Sequence, residues 1–251
     1  MLRAVVRGVP STFDRALAAV PAPIDVDRAR AMHAAYRGAL ISLGVAPIDV
    51  DADDRYPDCV FVEDTAVVAG GVALITRPGA PERRGEVDAI ATVLGAVFEL
   101  ATMTAPATLD GGDVMRVGQT IYVGRSARTN DAGIARLAAV FEPRGYRVVA
   151  IDLAADILHL KCACAPLGDD RMLLARGTIP ADRFDAKRIV WVTEDEAYAA
   201  NALAIGDAAL VADGFPRTRD ALASAGFRTI AIDTTQARHA DGALTCMSIV
   251  F

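Results

Sequence analysis

Residues 65–76 read TAVVAGGVALIT: a short apolar run, a Gly-Gly pair and a second apolar run. That is the pattern of two antiparallel strands joined by a tight glycine turn. The same plan returns at 113–124 (DVMRVGQTIYVG), in the run LKCACAPLGDDRMLL that starts at residue 160, and at 202–213 (ALAIGDAALVAD). After the hairpins come stretches with helical spacing of apolar residues: 82–96 with Val87, Ile90, Val93 and Leu94, 130–142 with Ile134, Leu137 and Val140, and 216–225 with Leu222. A further strand follows each helix or its counterpart, as VFELATM, RVVAID, IVWVTE and RTIAID. The repeating unit is ββαβ.

A second regularity runs through the same segments. The polar residues that interrupt otherwise apolar strand starts are Asp64, Asp110, His159, Asn201 and Cys246, separated by 46, 49, 42 and 45 positions. A period of this size leaves room for five units in 251 residues, and repeats that cannot bury their own faces close on each other. Four units are visible whole. The fifth is assembled from the two ends. LRAVVRG comes first, then a helix from about Asp25 to Leu43 (apolar at Ala29, Met32, Tyr36, Ala39, Leu40 and Leu43), then VAPIDV, with ALTCMSIVF at the finish. The predicted fold is a closed ring of five ββαβ units in one domain spanning 1–251. A doubly wound parallel sheet fits less well, because glycine hairpins demand antiparallel pairs and no GxGxxG follows the first strand.

At 26.3 kDa and 53% hydrophobic residues the chain can bury a large core, and no segment reads as a linker. MLRAVVRGVP has no apolar run long enough for a signal peptide, and no stretch approaches the roughly 18 apolar residues of a membrane span. A soluble, cytoplasmic protein is expected. Four cysteines without a small secreted framework fit free thiols in a reducing compartment. A net charge of −6 argues against a nucleic-acid partner and is compatible with a small cationic substrate. No membrane partner is expected, and a homodimer is left open.

A cysteine in an apolar run is most often structural. Cys246 stands out through its company, because a thiolate nucleophile needs a cation or base within reach and the base needs an orienting group. Of the three histidines, His33 lies in the first helix and reads as a surface residue. His239 lies in a polar loop seven positions before the cysteine, and His159 is in phase with Cys246. In a ring of units, equivalent positions converge on the axis. HLKCAC invites a metal reading, but alternation along a strand would put His159 and Lys161 on one face and Leu160, Cys162 and Cys164 on the other. No metal is expected there. In LDGGDVM, Asp110 and Asp113 flank two glycines that suit a turn, and phase makes Asp110 the candidate partner of His159. PDCVFVEDT carries Asp58, Glu63 and Asp64, and adjacent carboxylates between apolar runs suit a guanidinium, whose N–H groups match them. Arg83 and Arg128 stand at helix starts, where a cation is unfavourable. That placement suggests an anion such as a substrate carboxylate.

FVEDTAVV, ALITRPGAPERR, TLDGGDV, VGRSARTN, LHLK and the terminal ALTC, in this order, resemble the dimethylarginine dimethylaminohydrolase family of guanidine-modifying enzymes. The resemblance covers nearly the whole chain and is weakest over 165–200. It implies a five-bladed α/β propeller, Cys246 as nucleophile, His159 as acid and base, and Asp110 as the supporting carboxylate. It also implies substrate contacts at Leu17 in an N-terminal lid and at Asp58, Glu63, Asp64, Arg83 and Arg128, with a main-chain contact at Ala240. The expected reaction is hydrolysis of Nω-methylated arginine to citrulline and a methylamine through a covalent thiouronium, without metal or organic cofactor. The alternatives are an arginine or agmatine deiminase, and a non-catalytic binding protein on the same ring.

Overall fold

The computed structural model describes residues 1–168 and 170–251. Two glycines show how its first complete unit is made: Gly70 and Gly71 both take positive φ, of 55° and 79°. This is the backbone a two-residue hairpin turn requires, and residues with a Cβ adopt it at a cost. The turn joins β3 (Ala66–Ala69) to β4 (Val72–Ile75) in antiparallel register, Val67 opposite Leu74. A crossover through helix α2 (Val87–Gly95) returns the chain as β5 (Glu99–Thr102), parallel to β4.

The plan repeats around the molecule. The next unit is β6 (Val114–Val117), β7 (Thr120–Arg125), α3 (Asp131–Phe141) and β8 (Arg147–Asp152). Another holds β9 (Cys164–Gly168), β10 (Arg171–Ala175) and β11 (Arg188–Val192), its crossover carrying only a 3₁₀ turn, Ala181–Arg183. A further unit holds β12 (Leu203–Ile205), β13 (Ala208–Ala212), α5 (Pro216–Ser224) and β14 (Arg228–Ile232). In every case the middle strand is antiparallel to the first and parallel to the last. The remaining sheet joins the chain ends: β15 (Ile249–Val250) pairs antiparallel with β1 (Arg3–Arg7), and β1 pairs in parallel with β2 (Ala46–Val50) across α1 (Val26–Ser42). The fold is the five-bladed α/β propeller, closed by its terminal strands.

The apolar cores lie between units. One joins Val5 and Ile249 to Ala73, Ile75, Ile90 and Leu94, and another joins Leu74 to Val123 and Leu137. Each sheet therefore buries its faces against its neighbours, and closure leaves no blade with an uncovered end. No helix among the described residues is long and apolar enough to cross a membrane.

Two sequence expectations change. His33 is not a surface residue: it is 8% exposed, on the buried stripe Ala29, His33, Tyr36, Leu40 of α1. Its spacing assigns it to the core face, and reading it as merely polar missed that. Burial lowers its pKa to about 4, so the ring is neutral, and its Nε2 has no hydrogen-bond partner among the described residues. The HLKCAC segment, expected to begin a strand at His159, first makes one helical turn, α4 (Leu160–Ala163), and the strand starts at Cys164. His159, Leu160 and Lys161 are all buried, whereas Cys162 is exposed. Strand alternation does not apply in a helical turn.

Candidate active site

That helical turn is one of a set. Val62–Thr65 precedes β3, Gly111–Asp113 precedes β6, α4 precedes β9, Glu194–Ala200 precedes β12 and Thr245–Met247 precedes β15. The five in-phase polar residues sit in these turns or at their caps. Neighbouring turns pack against one another around the axis. The periodic groups therefore meet, as ring closure requires.

Close packing there depends on two glycines. A Cβ on Gly111 would lie 1.9 Å from the carbonyl oxygen of Glu63, and one on Gly112 would lie 2.7 Å from His159 Nδ1 and 2.9 Å from Asp64 Oδ1. Neither takes positive φ, so these glycines serve close approach and not an unusual backbone angle.

A cavity of about 250 Å³ opens over these turns, lined by Cys246, His159, Asp64, Asp58, Arg83, Arg128, Leu17, Ala240 and neighbours including Phe61, Ala19 and Asp241. His159 Nε2 lies 3.0 Å from Asp110 Oδ2, and Asp110 Oδ1 accepts the Gly79 N–H at 2.8 Å. Asp110 is wholly buried. Asp64 accepts Arg83 Nη1 at 2.5 Å and the Gly112 N–H at 2.8 Å. Burial opposes charge on both Asp64 and His159, but their mutual attraction and these hydrogen bonds outweigh it. Asp64 is held at about 2 and His159 at about 9. At neutral pH the cavity thus presents a carboxylate and an imidazolium, with Nδ1 left as the ring nitrogen not engaged by Asp110. The Cys246 thiol is pushed well up, first by burial and then by the charges of Glu63 and Asp64. At neutral pH the thiol is protonated.

Among the described residues, Asp64, Asp110 and His159 bring three ligand atoms within 4.8 Å of one another. The carboxylates already pair with Arg83 and His159, an arrangement suited to proton transfer more than to ligating a metal ion. Cys164 is buried against Met115 and lies outside the cavity's lining.

Three placements differ from the sequence reading. Arg83 is not free for a substrate carboxylate: it is 5% exposed and binds Asp64, Glu86 at 2.8 Å and the carbonyl of Phe61 at 2.9 Å. Its misplaced cation is answered by the chain's own anions. Glu86, which the sequence reading passed over, has its pKa raised to about 7 by burial, against the pull of Arg83. Glu63 does not line the cavity: its Oε1 takes Lys161 Nζ at 2.5 Å and its Oε2 takes the Thr245 hydroxyl at 2.7 Å. His239 is helical, in α6 (Thr235–His239), bonded through Nδ1 to the Pro23 carbonyl at 2.7 Å. Arg128 lines the cavity and forms no ion pair among the described residues.

The segment leading into α1 forms a wall of this cavity. The Leu17 N–H donates to Asp58 at 3.1 Å, the Ala19 N–H to Asp241 Oδ2 at 2.5 Å and the Asp25 N–H to Gln236 Oε1 at 2.7 Å. Asp241, at φ 53°, was not singled out in the sequence. Its signal was faint, being one more polar residue in the approach to Cys246.

The family model described as arginine deiminase matches residues 54–191. The N(G),N(G)-dimethylarginine dimethylaminohydrolase of Pseudomonas aeruginosa is 36% identical over 229 residues, 90% of each chain. Its counterpart in Streptomyces coelicolor is 39% identical over 217 residues, 86% of this chain and 83% of that one. A crystal structure of the Pseudomonas aeruginosa enzyme, a Cys-to-Ser variant complexed with citrulline, superposes with a TM-score of 0.94 at 33% identity, covering 99% of this chain and 98% of that one.

Proposed function

The chain belongs to the dimethylarginine dimethylaminohydrolase family, and on that premise we propose that it hydrolyses Nω-methylated arginine, dimethylated or monomethylated, to citrulline and the methylamine. The observation that carries this reading is the cavity itself: a half-buried cysteine thiol, an imidazolium on a buried carboxylate, and an anionic Asp64 beside them.

In this reading the cationic guanidinium binds against Asp64 and offsets the negative field that keeps Cys246 protonated. The thiol gives its proton to solvent, since His159 already carries one, and the resulting thiolate attacks the central guanidinium carbon. The tetrahedral adduct collapses by breaking the bond to the methylated nitrogen, which leaves as the amine with the proton from His159, and Cys246 remains as a thiouronium. Neutral His159 next takes a proton from water, which attacks the same carbon, and breaking the C–S bond releases citrulline. Asp110 keeps the ring oriented through both proton transfers. No step calls on a metal or organic cofactor.

Arg128, with no ion pair among the described residues, is assigned the substrate's α-carboxylate. Asp58, the main chain of Leu17 and the main chain of Ala240 are assigned its α-amino end. Arg83 is assigned to holding Asp64 in place. A guanidinium with two methyls on one nitrogen keeps three of its five N–H donors. An apolar wall such as Phe61 discriminates by roughly 1–3 kcal/mol for each methyl's worth of packing. Free thiols support a reducing, cytoplasmic setting.

The test is citrulline formation from dimethylarginine, monomethylarginine, arginine and agmatine side by side. The methylated substrates should lead. Comparable turnover of arginine or agmatine would favour a deiminase instead.

A further inference from the structure

Glu63 and Asp64 are neighbours in sequence, yet they serve different spaces. Asp64 lines the catalytic cavity, whereas Glu63 and Lys161 line a second cavity of about 130 Å³ that shares no residue with the first. Glu63, Lys161, Asn201 and Thr245 form a closed circuit of hydrogen bonds. Lys161 Nζ donates to Glu63 Oε1 at 2.5 Å, and the Thr245 hydroxyl donates to Glu63 Oε2 at 2.7 Å. Asn201 Nδ2 donates to Thr245 Oγ1 and to the Lys161 carbonyl, both at 3.0 Å, and the Thr245 N–H returns to Asn201 Oδ1 at 2.9 Å. Thr245 immediately precedes Cys246 in the same one-turn helix.

We propose that the Lys161–Glu63 ion pair is a positioning device for the nucleophile, holding its turn through Thr245 and balancing the charge that Cys246 faces, and that Glu63 serves the thiol and not the substrate. After burial, the charge of Glu63 is the first influence opposing ionisation of Cys246. Lys161, at 2.5 Å from Glu63 with 11% of its side chain exposed, is placed to cancel that influence in a poorly screened site. Deleting the cation and deleting the anion should therefore move the thiol in opposite directions. A purely structural network would make both deletions harmful in the same way. A substrate contact at Glu63 would raise KM and leave the free thiol unaltered.

The inference rests on Cys246 as nucleophile, so the experiment reads the thiol without substrate. The rate of Cys246 alkylation by iodoacetamide, located by mass spectrometry of the intact chain, is measured across pH for the parent, Glu63→Gln, Lys161→Met, the double variant and Lys161→Arg. At fixed pH below the thiol's midpoint, Glu63→Gln should speed alkylation about tenfold and Lys161→Met should slow it about tenfold, one pKa unit each way. The double variant should lie within about threefold of the parent, and Lys161→Arg should match the parent. One single variant shifting in its stated direction, with reversal in the double, supports the proposal. Unchanged rates in both single variants, or both moving the same way, overturn it. Failure of the parent to make citrulline would strike the proposed reaction and leave this result standing.

Discussion

The one-turn helices at the axis and the segment from Leu17 to Asp25 both face the catalytic cavity, and they are held in different ways. The axial turns come from five units and are fixed by buried side-chain bonds, such as Asp110 to His159 and Asn201 to Thr245. The segment before α1 has no regular structure. It is tied by single main-chain bonds to Asp58, Asp241, Gln236 and His239, several at exposed positions. The contrast separates two tasks. Chemistry needs groups placed within fractions of an ångström, so it sits where closure of the ring fixes them. Under the proposed function, recognition of the substrate's amino end falls to this segment, whose few and partly exposed bonds suit a wall that must let substrate in.

The largest expected effect lies at the axis. Cys246→Ser should abolish turnover and covalent adduct formation while leaving the melting transition near that of the parent, because an alcohol lacks the thiolate population at neutral pH. Citrulline production near the parent rate would remove the cysteine from the mechanism. His159→Gly should slow turnover by about a hundredfold to ten-thousandfold, and His239→Ala should leave it nearly unchanged. The opposite ranking would move the base to the lid side.

The His159 charge also sets a pH window. Its folded value of about 9 lies above the ordinary 6.5, so its contribution to stability is complete below about 6.5 and fades as pH rises through about 9. Activity that depends on the imidazolium as acid should fall over the same upper limb. A chemical-denaturation series from pH 6 to 10 on the parent and on His159→Gly separates this contribution from other groups. The parent should lose stability relative to the variant across that range.

Arg128→Ala should cut kcat/KM for dimethylarginine by at least about thirtyfold, the loss of a charge-assisted contact of about 2 kcal/mol, and should barely change a slow reaction with agmatine. Equal damage to both would make Arg128 structural. The smallest effect belongs to the lid: Asp241→Gly removes the acceptor of the Ala19 N–H at a position whose φ of 53° glycine takes without strain, and it should raise KM about threefold to tenfold with kcat within about twofold, the size of one exposed hydrogen bond. A collapse of kcat would show that the two regions do not act separately.

The ring and its phase were legible in the chain before any coordinates. Glycine hairpins, helical stripes and a constant spacing are local signals, and Asp64, Asp110, His159, Asn201 and Cys246 fall in step because each opens an equivalent unit. The short helical turns carrying them were not legible: four of the five hold only three or four residues, too few to show a period, so the turn at Leu160–Ala163 read as strand. His33 was misassigned for a related reason, its polarity weighed above its position on the α1 stripe.

The partners of the charges could not be read from spacing either. Nothing local tells Glu63 from Asp64, or Arg83 from Arg128. Only the packed ring turns Asp64 toward His159 and Glu63 toward Lys161, and only burial beside Glu86 commits Arg83 while Arg128 makes no ion pair among the described residues. Residue type and period determined which groups this protein can bring to its axis, because those depend on backbone geometry repeated along the chain. Which charge faces which was decided by tertiary structure, because in a desolvated site each carboxylate must find a cation or donor, and the candidates come from units distant in sequence.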